Sequence, residues 1–135
     1  MPDTYQLTPH ETVTVVERSP ERLVVEAAWT KGSPPPAHQH PQQDERFTVL
    51  EGEITYRIDG QERVAREGDV FDVPRRTAHA MWNASDGPAR VRWETMPAAR
   101  TEEFWTAVST TSRRNPVAMG KLLVRFRDTF RLARG

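Results

Sequence analysis

The chain has 135 residues, close to the commonest domain size and enough for one hydrophobic core. Its 19 basic and 19 acidic side chains cancel, so no net charge attracts nucleic acid or an anionic membrane, and neither partner is expected. Cysteine is absent, which excludes disulfides and thiolate metal sites. The start, MPDTYQLTPHETVTVV, lacks the features of a signal peptide, and no apolar run is long enough to span a bilayer, so we expect a cytoplasmic protein.

The first two-thirds of the chain is typical of short strands. Valine-rich stretches at residues 12–16 and 22–30 predict the first two. Three consecutive prolines within residues 32–36 remove backbone donors and fix φ, which excludes regular structure there. Alternating patterns predict further strands at residues 45–50, 53–58, 61–65, 70–73, 79–82 and 89–95, and Asp59-Gly60 is a strong hairpin signal. This series predicts an all-β fold, an antiparallel double-sheet barrel of the jelly-roll type, over residues 1–99.

After Pro97 the pattern becomes helical. Residues 100–108 predict a short helix with Thr101 as its N-cap, and Pro116 can begin a second helix. Between residues 117 and 132, apolar side chains recur at helical spacing and form one stripe: Met119, Leu122, Leu123, Phe126 and Phe130. We therefore assign residues 100–135 to a C-terminal helical extension.

The extension is also basic. Residues 113–135 hold seven basic groups and one acid, a net charge of +6, and the preceding 112 residues carry −6. A basic amphipathic helix can bind a membrane surface or a partner protein. We favour the simpler interpretation, in which the apolar stripe packs on its own barrel or on that of a neighbouring subunit.

Three of the four histidines belong to one spaced pattern. His38 and His40 are two residues apart on a predicted strand and so point to the same face, with Glu45 just beyond a turn. His79 would complete a set of imidazoles and a carboxylate, which are good ligands for first-row divalent metals. Alternatively, the first two histidines are surface residues of a proline-rich loop and His79 is an ordinary core residue. The complete pattern favours the metal site.

Residues 32–52, GSPPPAHQHPQQDERFTVLEG, resemble the first motif of the cupin superfamily, and residues 68–83, GDVFDVPRRTAHAMWN, resemble the second. Every ligand position matches, whereas Arg76 stands where the family commonly has glycine. The resemblance implies a small single-domain cupin that pairs as a homodimer, with Asn83 structural. It implies one divalent ion (Fe, Mn, Ni, Co, Cu or Zn) bound by His38, His40, Glu45 and His79.

A metal on this ligand set keeps one or two open positions. By resemblance to quercetin-type and thiol-type dioxygenases, the leading prediction is a dioxygenase-like oxidoreductase acting on an aromatic or enolisable small molecule. The same ion could instead polarise a carbonyl in a redox-neutral isomerase or cyclase, as in cupins of aromatic polyketide pathways. A third possibility is a module that binds a small ligand through the metal without catalysis.

Redox-neutral chemistry requires a proton-transfer group near the metal. The candidates are Tyr56, which could instead be barrel packing, and Asp44, which could instead be a loop residue or orient a ligand imidazole. Arg75 and Arg76 could meet a carboxylate at the barrel mouth, and His10 is expected to be exposed. An apolar pocket wall is predicted from five residues: Phe47, Val49, Phe71, Met81 and Trp93.

Overall fold

The computed structural model describes residues 2–134 and contains two antiparallel sheets and two short helices. The strands are β1 (Thr4–Thr8), β2 (Glu11–Arg18), β3 (Leu23–Trp29), β4 (His38–Gln39), β5 (Asp44–Glu51), β6 (Glu53–Ile58), β7 (Gln61–Arg66), β8 (Val70–Val73), β9 (His79–Trp82), β10 (Ala89–Met96) and β11 (Arg131–Leu132). The helices are α1 (Thr101–Thr110) and α2 (Pro116–Arg125). This architecture confirms the predicted double-sheet fold with a helical extension. Among the described residues, neither helix has the length and apolar composition needed to cross a membrane.

The strands form a six-stranded sheet in the order β1-β2-β3-β10-β5-β8 and a five-stranded sheet in the order β11-β4-β9-β6-β7. Their inner faces enclose the core, because alternate residues of each strand are apolar and point inward. On β5, Phe47 and Val49 are buried on the same face as Glu45. The carboxylate of Glu45 therefore enters the barrel interior together with apolar neighbours.

Two turns between strands contain residues with positive φ, a conformation that favours glycine, asparagine and aspartate. Asp59 and Gly60 both have positive φ, 49° and 81°, as a two-residue type I′ hairpin between β6 and β7 demands. Gly52, between β5 and β6, has φ +75°, and a side chain there would collide with the Pro88 carbonyl. Glycine at this motif position therefore lets the β5–β6 turn lie against the start of β10.

Strand β1 was missed from the sequence. It pairs antiparallel with β2, with Tyr5 opposite Val13. Tyr5 is buried against Trp105 of α1, with ring centroids 5.6 Å apart, and its hydroxyl donates to Glu102 at 2.8 Å. The strand is thus fixed by contacts with a helix about 100 residues further along the chain, which a local pattern does not reveal.

The C-terminal segment differs from its prediction in two ways. Arg100, not Thr101, is the N-cap of α1, and the Thr101 hydroxyl accepts instead from Gln43 Nε2 at 2.6 Å. The second helix, predicted to continue through residue 132, ends at Arg125. Beyond it, β11 pairs with β4, so that Leu132 lies opposite His38. Backbone pairing with an otherwise open sheet edge replaces the helical hydrogen bonds of these last residues.

The apolar stripe still turns toward the barrel. Phe126 is fully buried against Phe104 of α1, with ring centroids 5.4 Å apart, and Phe130 stacks on the same ring at 5.0 Å. Within the described residues, this stripe contacts α1 and the strand that carries His38.

Candidate metal centre

Three imidazoles meet inside the barrel. His38 of β4 and His79 of β9 are directly paired across the strands, and His40 follows one residue after β4. The possible ligand nitrogens of the three rings all lie within 4.8 Å of one another. Such a cluster could hold a metal ion, as the spacing of the histidines predicts.

Glu45 of β5 reaches the same cluster from the opposite sheet. Its Oε1 lies 3.2 Å from His40 Nε2 and 3.1 Å from His79 Nε2. Neighbouring ligands about 2.1 Å from a shared ion stand roughly 3.0 to 3.4 Å apart, so these separations suit adjacent ligands. The structure thus brings all four predicted ligand side chains together.

Backbone carbonyls orient the imidazoles. The Nδ1–H groups of His40 and His79 donate to the carbonyl oxygens of Thr129 and Thr77, at 2.8 and 2.9 Å. His38 Nδ1 faces the Pro36 carbonyl at a longer 3.5 Å. Because a carbonyl only accepts, each Nδ1 carries the hydrogen and each Nε2 keeps a free lone pair. The lone pairs of His40 and His79 are therefore available at the cluster, as metal ligation requires.

Two atoms at the centre have unmet bonding capacity. Among the described residues, His40 Nε2 and Glu45 Oε1 are both buried without a hydrogen-bond partner. A buried polar atom left in this state is costly and calls for an explanation. A cation placed between them would satisfy both atoms, so the donor set fits a divalent metal ion.

The charges within the cluster also favour a cation. Burial alone would raise the pKa of Glu45, but the imidazoles of His40 and His79 outweigh it and lower that pKa to about 2. Burial would likewise lower the pKa of His79, but the Glu45 carboxylate raises it above its usual value. Burial, together with the neighbouring His79 and His40, lowers the pKa of His38 to about 3. The site therefore keeps His38 neutral and Glu45 ionised, the forms in which both bind metals.

Side chains outside the two motifs fix the ligands in place. Trp93 of β10 donates its indole N–H to Glu45 Oε2 at 2.7 Å, which leaves Oε1 for the cluster. Phe130 stacks on His38 with centroids 4.7 Å apart, and the neighbouring Thr129 accepts from His40. The C-terminal segment is therefore part of the site, which the helical prediction for these residues did not anticipate.

The cluster opens into a cavity of about 560 Å³ between the sheets. Of the five predicted wall residues, Phe47, Met81 and Trp93 line it. Val49 and Phe71 do not; they are buried in the surrounding core, where Phe71 stacks on Phe47 at 5.0 Å. Apolar side chains from outside the motifs also line it, including Trp29, Phe104, Trp105, Leu122 and Leu123.

The two predicted proton-transfer residues lie outside this cavity. Tyr56 stacks flat on Phe71, with ring centroids 3.9 Å apart, and is a packing residue. Asp44 precedes Glu45 on β5, and since successive strand residues point to opposite faces, its carboxylate lies outside the barrel. There it forms an ion pair with Arg75 at 3.2 Å. Neither side chain lines the cavity that contains the cluster.

The structure also shows where four other residues singled out from the sequence lie relative to the cavity. Arg75 is held by its ion pair outside the barrel, and Arg76 occupies the turn with φ 62°; neither lines the cavity. Asn83 is fully buried, and its amide donates to the carbonyls of Trp29 and Gly87. His10 is exposed as expected, yet it borders the mouth of the cavity.

Sequence reasoning missed a buried carboxyl in the cavity wall. Glu11 is the first residue of β2 and is only 7% exposed. The predicted strand began at the next residue, so the shared inward face of Glu11 and Val13 was overlooked. The available signal was the alternation Glu11-Val13-Val15, which continues the strand pattern by one residue.

A double-sheet barrel with an internal cluster of histidines and a carboxylate defines a class of small barrel proteins whose interior could hold a metal ion. The family model described as the cupin domain matches residues 26–94, about half of the chain. The chain therefore belongs to the cupin family, as its two motifs indicated. No curated protein sequence matches it.

Many solved structures share the fold. An RmlC-like cupin from Shewanella frigidimarina has 21% identity and a TM-score of 0.66, covering 73% of this chain and 86% of its own. KdgF from Halomonas sp. has 20% identity and a TM-score of 0.64, covering 73% and 90%. A sugar phosphate isomerase of the cupin superfamily from Silicibacter pomeroyi has 22% identity and a TM-score of 0.58, covering 64% and 59%. At these identities the similarity establishes the fold alone.

Proposed function

We propose that this cupin is a metal-dependent enzyme for an aromatic or enolisable small molecule, with dioxygenase-like oxidation as its leading activity. The observation that carries the proposal is the four-ligand cluster at one end of an apolar, aromatic-lined cavity. His38, His40, Glu45 and His79 would hold the ion. When bound, a divalent cation supplies a Lewis acid with open positions for substrate oxygens.

The chain's own residues would prepare the site for such a substrate. The indole N–H of Trp93 orients Glu45, while the aromatic wall displaces water and favours a flat, apolar molecule. The volume of about 560 Å³ falls in the range of small-molecule sites. These features support a small-molecule ligand in both the catalytic and the purely binding interpretations.

One observation favours redox-neutral isomerase or cyclase chemistry as the second candidate. That chemistry needs an acid–base group in the cavity, and Glu11 supplies a buried carboxyl there.

We also propose that the protein forms a homodimer. Val117 and Val124 are exposed on the outer face of α2 and offer apolar surface for it.

Metal analysis comes first in testing the proposal. Protein purified without an affinity tag should contain about one first-row divalent ion per chain, since the cluster forms one site. It is then incubated with quercetin or 2-hydroxyacetophenone, in air and under nitrogen, while dioxygen uptake and product formation are followed. Oxygenation predicts uptake that matches substrate loss and no turnover under nitrogen.

The other outcomes separate the alternatives. Turnover that persists under nitrogen would replace the oxygenase with an isomerase or cyclase. Saturable binding with an unchanged ligand would replace both enzymes with a binding module. Protein that takes up no stoichiometric metal, even when it is supplied during purification, would overturn the whole proposal.

A further inference from the structure

Glu11 is an isolated carboxyl within the cavity. It begins β2 with its side chain on the same inward face as Val13, and it lines the cavity that contains the histidine cluster. Among the described residues, no hydrogen bond or ion pair reaches its carboxyl oxygens. Its carboxyl oxygens are not among the fully buried polar atoms that lack a partner, so they open onto the cavity, where a bound molecule can reach them.

A second unpaired polar atom lies next to it. Glu11 is directly opposite Trp29 across the β2–β3 ladder, and both side chains line the cavity. The Trp29 indole N–H is buried and has no acceptor in the described part of the chain. Directly opposed residues on one face have Cβ atoms only about 4.5 to 5.5 Å apart. One patch of the wall therefore combines an unused donor with an unused carboxyl.

The other titratable groups of the cavity wall are already engaged or lie at its edge. His38, His40, Glu45 and His79 form the cluster, and Arg113 donates to the Leu7 carbonyl. His10 is exposed at the mouth. Within the described residues, Glu11 is thus the buried titratable group of this cavity that remains free to exchange a proton with a bound molecule.

The environment of Glu11 suits that role. Burial, reinforced by the negative charge of Glu45, raises the pKa of Glu11 to about 8. A carboxyl that titrates near neutral pH can both accept and return a proton, and in its ionised form it is a stronger base than an exposed glutamate. Glu11 and Glu45 both line the same cavity.

We propose that Glu11 is the catalytic base of this cavity and that its substrate is a carbonyl compound with a hydrogen on the adjacent carbon. A carboxylate oxygen of Glu11 forms a bond to that hydrogen as the C–H bond breaks. The C–H electron pair becomes the new C=C bond, and the carbonyl π pair moves onto oxygen to give the enolate. The proton resides on Glu11, and no oxidant or reductant is consumed.

Return of the proton to a different carbon would complete an isomerisation and restore Glu11. The same deprotonation would also prepare an enolate for oxygenation, so the role is compatible with both candidate reactions. The inference rests on the proposed function, because it assumes that the substrate's carbonyl end lies at the cluster. It narrows the proposed substrate to a carbonyl compound with a hydrogen on the adjacent carbon and adds a residue for the proton transfer.

The test follows hydrogen exchange in a defined probe. Metal-loaded protein is mixed with 2-hydroxyacetophenone in D₂O, and loss of the methylene signal is followed by proton NMR. A base that removes the proton contributes about 100 to 10,000-fold, so Glu11→Gln should slow the catalysed exchange at least about 100-fold. Glu11→Asp, which keeps a carboxylate on a shorter side chain, should restore part of the rate.

Two further measurements separate a catalytic role from a structural one. Calorimetric titration should show that Glu11→Gln binds the metal and the probe as the wild type does. Infrared difference spectra between wild type and Glu11→Gln should show a carboxyl band that shifts when the probe binds. The matched control is Glu17→Gln on the same strand, whose carboxylate is exposed and paired with Arg22. It should exchange at the wild-type rate.

Each result decides a different point. Equal exchange rates for wild type and Glu11→Gln would overturn the role of Glu11 and leave the metal enzyme standing. A wild type that binds metal and probe without accelerating exchange would likewise reject Glu11 as a base. Failure of the wild type to take up metal would overturn the proposed function and, with it, the inference that depends on it.

Discussion

The segment that carries the two motifs and the segments that flank it contribute different things to the site. Residues 26–94 supply all four ligand side chains, from positions set by short spacings. The flanks supply what surrounds those ligands: Glu11 from the N-terminal side, and Thr129 and Phe130 from the C-terminal side. The motif supplies the candidate ligands, and the flanks determine how those side chains are held and what else can occupy the cavity.

Removing a ligand should have the largest effect. His40→Ala deletes an imidazole from the cluster and leaves Glu45 Oε1 with one neighbouring ligand fewer, so stoichiometric metal retention should be lost. The barrel should still fold, because its core is apolar and does not include this side chain. Elemental analysis and the thermal unfolding midpoint measure the two effects separately.

The control for this variant is His10→Ala, which removes an exposed histidine outside the cluster. It should keep the wild-type metal content. Metal retained at full stoichiometry by His40→Ala would show that the ligand set is assigned incorrectly.

The second-largest effect is expected from a substitution in the C-terminal flank. Phe126 is fully buried and packs on Phe104, with the Arg100 guanidinium 4.5 Å from its ring centre. Phe126→Ala should lower the free energy of unfolding by about 3 to 5 kcal/mol, the usual cost of truncating a buried phenylalanine. Because the segment also carries the carbonyl that orients His40, metal affinity should fall as well.

Val16→Ala is the control for that variant. It truncates an exposed valine on β2, away from the proposed dimer surface, and should change stability by no more than about 0.5 kcal/mol. Denaturant titration of both variants, with and without metal, distinguishes the two effects. Full metal affinity in a destabilised Phe126→Ala protein would mean that the C-terminal segment does not support the site.

The difference between the motif segment and its flanks also explains how much of the fold and the site could be predicted from the sequence. The ligands, most strands and the double-sheet fold follow from period-two alternation and motif spacing, which are local. Strand β11 could not be predicted, since residues 126–132 continue a helical stripe and form a strand only because β4 offers an open edge. The His40–Thr129 contact joins residues 89 positions apart, and no local pattern encodes it.

A related reason explains why Asp44, the sequence neighbour of Glu45, does not line the cavity whereas Glu11 does. Asp44 is adjacent to the metal-ligand carboxylate in sequence, but neighbours on a strand point to opposite faces. Glu11 is far from the ligands in sequence and reaches the cavity through the pairing of β2 with β3. Proximity along the chain was therefore a poor guide to proximity in the cavity.

A smaller change should show how the contact between Trp93 and Glu45 supports the motif. Trp93→Phe keeps an aromatic wall but removes the N–H that donates to Glu45 Oε2 at 2.7 Å. Loss of such a partner typically costs about 10 to 100-fold in metal affinity, so competition titration with a chelator should show a decrease of this size. Phe47→Leu, which alters the same wall without touching a ligand, should leave metal affinity unchanged.

The smallest effect is expected for Asp44→Asn, outside the barrel. The hydrogen bonds and charge of Arg75 hold the pKa of Asp44 below its usual value. The folded state thus favours the ionised form, and this stabilisation is present above the unfolded-state pKa and lost as pH falls through the folded one. Because the pair is half exposed, Asp44→Asn should cost at most about 1 kcal/mol at neutral pH and nothing in strong acid.

Metal content and probe exchange of Asp44→Asn should match the wild type, which chemical denaturation at two pH values and the NMR exchange assay can check together. A large decrease in the rate of probe hydrogen exchange, with metal retained, would show that Asp44 takes part in the proton transfer. That result would mean that β5 presents its outer face to the substrate, which the burial of Glu45, Phe47 and Val49 on the opposite face contradicts.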